Sequence, residues 1–267
     1  MRLGDSPDGF NLSDGVLSGG EDAAVTPPEH IADVIRRLEA IEASAPATDG
    51  VVCFARLYRE VTVEVAADVA RRGFEETRFL EALDVRFAGL FFSALESYGR
   101  APGSTPSAWV PLFAQRSRRG VAPLQFALAG MNAHNNRDLP VALVATCREL
   151  RLELGDSSPE HADFERVNTL LSAVERRVKS SYVTGWLAWV DRLVHRLHRL
   201  DDVLAMWDVE RARDAAWTNA QALWALGVEP PLAGDYLLAL DRMVGLASRG
   251  LLIPADSLLL KLARAVQ

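Results

Sequence analysis

Val121-Ala-Pro-Leu-Gln-Phe-Ala-Leu-Ala-Gly-Met-Asn-Ala-His-Asn-Asn-Arg-Asp-Leu-Pro-Val-Ala-Leu-Val-Ala145 is an apolar run interrupted by a polar knot at Met131–Pro140. The knot holds three amides, an imidazole, a guanidinium and a carboxylate. Buried among such neighbours, these groups are costly unless each finds a partner or a ligand. The run lacks the period-two alternation of a half-buried strand, and so does nearly all of the chain around it. Only Leu251-Leu-Ile253 reads as strand-like. Apolar residues recur instead at helical spacing, as in Ile31, Ile35, Leu38 and Ile41, or Phe79, Leu80, Leu83, Phe87, Leu90 and Phe91. The expected fold is therefore all-α: one orthogonal or bundle-like domain of about eight to ten helices spanning residues 26–267. Residues 1–25, rich in Gly, Asp and Ser, are expected to form a disordered tail.

Punctuation places the helices. Thr26-Pro27-Pro28-Glu29 reads as a helix start, Asp49 starts a helix over 51–72, and Gly99 ends one over 75–98. Further helices are expected over 108–117, 162–178, 183–206, 209–226, 232–248 and 255–266. Pro140 lacks an N–H and is expected to kink or end the helix it enters.

Composition narrows the function. The chain has 267 residues, 49% hydrophobic and 24% charged, with a net charge of -7. Basic residues are interleaved with acids, which argues against a nucleic-acid or anionic-membrane face. No run approaches the length of a membrane span, and the acidic, Gly/Pro-broken beginning is unlike a signal peptide. Cys53 and Cys147 read as buried free thiols, so the expected location is the cytoplasm. Nucleotide loops, the GxSxG elbow, HExxH and zinc-type cysteine pairs are absent from the sequence.

The knot carries the first candidate site. His134 and Asp138 are four apart, one face of a helix, so Asp138 can orient the imidazole for acid–base work. Asn132, Asn136 and Arg137 are candidates for binding substrate. Asp84 and Arg86 interrupt an apolar helix and could meet the knot across the core. Arg213 and Trp217, one turn apart, could clamp a planar or anionic ligand. His195, His198 and Asp202 share a helix face, which offers a metal-binding alternative built from His134, Asp138, His195 and His198. The trypophan-rich C-terminal half reads as core.

Leu124–Pro140, with Cys53-Phe-Ala-Arg-Leu-Tyr-Arg-Glu-Val-Thr62, Leu83-Asp-Val-Arg-Phe87 and Ala212-Arg-Asp-Ala-Ala-Trp217, resembles an actinobacterial family classed only as a domain of unknown function. The likeness covers most of residues 30–255 and departs at Asn135, where the family pattern has isoleucine. It implies a bacterial setting, with specialised metabolism as the expected context, and no activity. A looser likeness is to the helical zinc-dependent phospholipase C and P1 nuclease group, whose helix-borne His-x-x-x-Asp ligands match the spacing of His134 and Asp138. The first expectation is an enzyme doing acid–base chemistry on a small, largely apolar substrate, without a cofactor. The alternatives are a metal-dependent hydrolase and a non-catalytic binding or scaffold protein. The oligomeric state is left open.

Overall fold

The computed structural model describes residues 27–72, 74–171 and 208–254. Within them the chain is helical, with no strand. The order is α1 (Ile31–Ala43), α2 (Gly50–Arg72), α3 (Thr77–Arg100), a 3-10 turn (Pro102–Ser104), α4 (Val110–Gln115), α5 (Pro123–Ala133), a π-helical turn (His134–Asp138) and α6 (Leu139–Leu150). Then come α7 (helical residues 159–171), α8 (Val209–Leu226) and α9 (Pro230–Leu251). The all-α, bundle-like fold expected from periodicity is the one observed. The expected tail 1–25, the Thr26 cap, the helices over 183–206 and 255–266, and His195, His198 and Asp202 lie outside the described residues.

Local chemistry explains most boundaries. Asp49 Oδ1 accepts the backbone N–H of Val51 at 2.9 Å and of Val52 at 3.3 Å, so it caps α2 as its side chain predicts. Asp208 does the same for α8, accepting from Arg211 N at 3.0 Å. α1 begins at Ile31, where Asp33 accepts from the N–H groups of Glu29 and His30. Gly99 does not end α3: the helix runs on to Arg100 and stops at Ala101, φ -147° and ψ 83°. A helical interior tolerates one glycine at about 1 kcal/mol, whereas the residue before a proline, here Pro102, is driven out of the α region. α9 is longer than expected because Pro230 and Pro231 sit in its first turn, where an absent N–H breaks no helical bond. Leu251-Leu-Ile253 is the frayed end of α9 rather than a strand, with Leu252 N donating to Ser248 O at 3.2 Å.

The axis of the bundle is α5, the π turn and α6. Every residue from Leu124 to Met131 is buried, which is the expected fate of a helix that is apolar all round. α5 lies against α2 and α9, and α6 against α3 and α8. Gln125 is the polar exception and is fully used. Its Oε1 accepts from Ala122 N at 2.9 Å, and its Nε2 donates to Leu251 O at 2.7 Å and Ile253 O at 3.0 Å, tying α5 to the end of α9. The crossings are close. A Cβ on Gly130 would sit 2.4 Å from the Phe54 ring, and one on Gly245 would sit 2.4 Å from the Ser107 carbonyl oxygen.

Pro140 neither ends the helix nor stands at its break. It occupies the first turn of α6, immediately after the π turn, in which Leu139 N–H reaches back five residues to His134 O. The wider turn absorbs the ladder bond that proline cannot make.

Glycines on α9 test this packing. Gly245→Ala presses on backbone that cannot rotate away and should cost about 1–3 kcal/mol. Gly234→Ala, with nothing within 4 Å of its Cβ, should stabilise by about 0.5–1 kcal/mol through helix propensity. Urea unfolding of the two variants reads both signs; equal effects would contradict the close crossing.

Candidate functional site

The π turn distributes the polar knot in three directions. Asn132 and Asn136 face α9: Asn132 Nδ2 donates to Val244 O at 3.0 Å and Ser248 Oγ at 2.9 Å, and its Oδ1 accepts from Asn136 Nδ2 at 3.0 Å. Arg137 and Asp138 face the start of α4. Asp138, 0% exposed, accepts from Trp109 Nε1 at 2.9 Å and Arg137 Nη1 at 2.9 Å. Arg137 Nε lies 3.6 Å from Asp241, whose carboxylate also accepts the backbone N–H groups of Ser107 and Ala108 at 2.6 and 3.1 Å. His134 and Asn135 face inward, into a cavity.

That cavity has a volume of about 90 Å³. α2 contributes Leu57, Tyr58, Val61 and Thr62, and α3 contributes Leu83, Asp84 and Phe87. Met131, His134, Asn135 and Leu139 come from the central axis, and Val167, Val209 and Arg213 from α7 and α8. The exposed Glu81 belongs to the same lining, so the cavity reaches the surface among the described residues. Its walls are mostly apolar, yet three buried polar atoms on them have no hydrogen-bond partner: His134 Nε2, Tyr58 Oη and Asp84 Oδ2. Each such orphan costs about 1–3 kcal/mol. Three together are comparable with the whole stability of a domain, so their convergence on one cavity points to something that fills it.

The imidazole is held on all sides. Its ring stacks on Phe87 with centroids 3.5 Å apart and planes at 6°, and the Tyr58 ring lies 4.5 Å away at 67°. Phe54 and Trp109 close the rear. His134 Nδ1 lies 3.4 Å from Asp138 Oδ2, a long hydrogen bond that places the ring proton on Nδ1. Burial pushes the His134 pKa below its ordinary value and outweighs the opposing pull of Asp138; the Arg213 charge adds to the lowering. The imidazole is therefore neutral near pH 7, with the Nε2 lone pair facing the cavity.

Tyr58 is kept as a phenol. Burial raises its pKa well above 10, the carboxylates of Asp84 and Asp138 add to the rise, and Thr62 and Arg213 oppose it. The Thr62 hydroxyl itself donates to the Tyr58 carbonyl oxygen at 2.9 Å, which leaves the phenol oxygen without a bond. Asp84 is only partly buried as a residue, but its Oδ2 is shut from solvent. Burial lifts its pKa to about 6 against the lowering effect of Arg213. Arg213 packs its guanidinium 4.3 Å above the Phe164 ring and donates from Nε to Asn168 Oδ1. Burial brings its pKa down to about 10, with Glu165, Asp84, Asp214 and Tyr58 pulling it back up.

Of the residues singled out in the sequence, His134, Asp84 and Arg213 line the cavity, and Asp138 stands directly behind His134. Asn132, Asn136 and Arg137 do not line it; their hydrogen bonds pin the π turn to α9 and to the loop before α4. Trp217 does not stack on Arg213: its Nε1 donates to Asp156 Oδ1 at 3.0 Å, and its ring lies 4.5 Å from His161. Arg86 pairs with Glu149. Tyr58 was missed, because it sits in an apolar stripe that disguises its hydroxyl. Asn135, read from the sequence as the weakest member of the knot, lines the cavity from the π turn. Among the described residues, no group of three His, Cys, Asp or Glu side chains converges as metal ligands would. No described helix is long and apolar enough to cross a membrane.

Fold and site together define an all-α protein built around an apolar cavity that carries acid–base groups. The chain belongs to the Family of unknown function (DUF5995), whose family model matches residues 31–254. No curated protein and no solved structure matches it significantly.

Asp84 gives a test of the cavity's electrostatics. A carboxyl raised to about 6 in the folded state, against about 3.9 unfolded, binds its proton more tightly when folded. Its contribution to stability is therefore lost as pH rises from about 4 through 6. Relative to Asp84→Asn, which does not titrate, the native chain should lose on the order of 3 kcal/mol over that window. Urea unfolding at several pH values measures the difference; a flat difference would place Asp84 in water.

Proposed function

We propose that the chain is a small-molecule enzyme whose cavity takes a largely apolar substrate, with His134 as the general acid–base group. The carrying observation is the convergence of His134 Nε2, Tyr58 Oη and Asp84 Oδ2, all unpartnered, on one apolar cavity. Arg86 Nε, Arg137 Nε and Thr146 Oγ1 are also without a hydrogen bond, but none of those residues lines the cavity. The three atoms that do are placed to meet a ligand.

Asp138 serves as the positioning residue. Trp109 and Arg137 fix its carboxylate, and the carboxylate fixes the imidazole tautomer, so Nε2 can accept a proton from a bound substrate and give it back. A base whose pKa is shifted by burial, in the same cavity as a carboxyl titrating at about 6, suits proton transfer near neutral pH. Cys53 and Cys147 are buried and not joined to each other by a disulfide, which supports a reducing, cytoplasmic setting, and a role in bacterial specialised metabolism is part of the same proposal.

Metal-dependent hydrolysis has less behind it, because Asp138 already accepts from Trp109, Arg137 and His134. His195 and His198 lie outside the described residues.

A fragment screen by ligand-observed NMR tests the proposal. Small apolar molecules should bind the native chain and be displaced from Ala66→Trp, which fills the cavity from α2 without removing a core side chain. Once a substrate is found, His134→Gln should lower turnover by on the order of 10²–10⁴-fold. Binding that survives in Ala66→Trp, or a blank screen against the native chain, would favour a closed scaffold.

A further inference from the structure

The three orphan atoms differ in hydrogen-bonding sense, and that difference restricts the ligand. Neutral His134 offers Nε2 only as an acceptor. Tyr58, held as a phenol, offers a donor. Both rings border the same cavity, 4.5 Å between centroids, so an occupant that satisfies both must bring an acidic hydrogen and an acceptor oxygen on an otherwise apolar body. Among the described residues no Ser or Cys side chain lines the cavity, and the Thr62 hydroxyl is bonded to a backbone carbonyl, so the described walls offer no free aliphatic hydroxyl or thiol.

An alcohol would place hydrogen and acceptor on one atom, and its proton leads no further without an oxidant, a leaving group or an electrophile. A carbonyl compound with a hydrogen on the adjacent carbon places them three bonds apart. Its chemistry is complete with the groups present.

We propose that the cavity takes a small, uncharged, enolisable carbonyl compound, and that Tyr58 is a catalytic residue that donates to its oxygen while His134 abstracts the α-proton. This rests on the acid–base reading of the same cavity. The His134 Nε2 lone pair takes the proton. The C–H electron pair becomes the new C=C bond, and the carbonyl π pair moves onto oxygen, where the Tyr58 O–H meets the developing charge. The imidazolium then gives a proton, exchanged with solvent, back to that carbon, or its proton to a conjugated carbon, which leaves a double-bond isomer. The step consumes no water, oxidant or cofactor. The cavity volume of about 90 Å³ is below the roughly 150 Å³ of an apolar cavity that takes benzene. A six-membered ring therefore does not fit wholly inside; its oxygen-bearing edge enters the cavity and the rest is directed past Glu81 toward solvent.

Phenol, which resembles an enol, and toluene, of the same shape without the oxygen, are the binding probes, read by NMR titration. The native chain should bind phenol about tenfold more tightly than toluene. Tyr58→Phe should erase that preference and leave toluene binding unchanged. Cyclohexanone in D2O is the reactivity probe. The native chain should speed α-hydrogen exchange, His134→Gln should return it to the buffer rate, and Tyr58→Phe should slow it by on the order of 10²-fold. Equal binding of phenol and toluene, with no exchange, overturns the carbonyl assignment while leaving the apolar pocket standing. A phenol preference without exchange overturns the proton abstraction. If neither probe binds and the fragment screen is also blank, the acid–base reading itself fails.

Discussion

The carboxylate of Asp138 is the interaction on which the centre of this molecule depends. It is fully buried on the axis of the bundle, and such a charge survives only when paired and hydrogen-bonded. Its partners come from three places in the chain: Trp109 before α4, Arg137 beside it in the π turn, and His134 four residues earlier. Removing any one of them leaves part of a buried charge unpaired, which is why the indole, the guanidinium and the imidazole are held so closely. Through Arg137 the same network reaches Asp241 on α9, whose carboxylate holds the backbone entry to α4.

A second constraint shapes the first. The ladder bond that Pro140 cannot make is absorbed by one wide turn instead of a break. That turn widens the angular spread of the side chains, so His134 and Asn135 face the cavity while Asn132 and Asn136 face α9. The knot thereby anchors α9 and furnishes a cavity at once. The functional candidates are the unpartnered atoms that line the cavity.

Fold class and several boundaries were legible in the sequence because they depend on local chemistry. Helical spacing marked α1, α2, α3, α8 and α9, and the caps at Asp49 and Asp208 act within three residues. Gly99 misled because a helix interior tolerates glycine, and the real stop was set by Pro102 acting on Ala101. Within the site, His134 stood out as a polar group in an apolar run, and Asp84 as a break in an apolar stripe. Tyr58 did not, because an aromatic ring at helical spacing reads as core whether or not its hydroxyl is satisfied.

By itself the sequence determined that this chain builds a helical bundle around the run Leu124–Pro140, since hydrophobic periodicity and capping are written in nearest neighbours. It also determined that the knot would be buried and would have to be satisfied. Which polar atoms are satisfied was decided only by tertiary structure. Asn132 and His134 are two residues apart and chemically alike in their capacity for hydrogen bonds, yet one meets α9 and the other meets a cavity. Two residues span about 200° of helix, which already sends them to opposite faces; what waits on each face is set by other helices, α9 more than a hundred residues away, and no local pattern contains that.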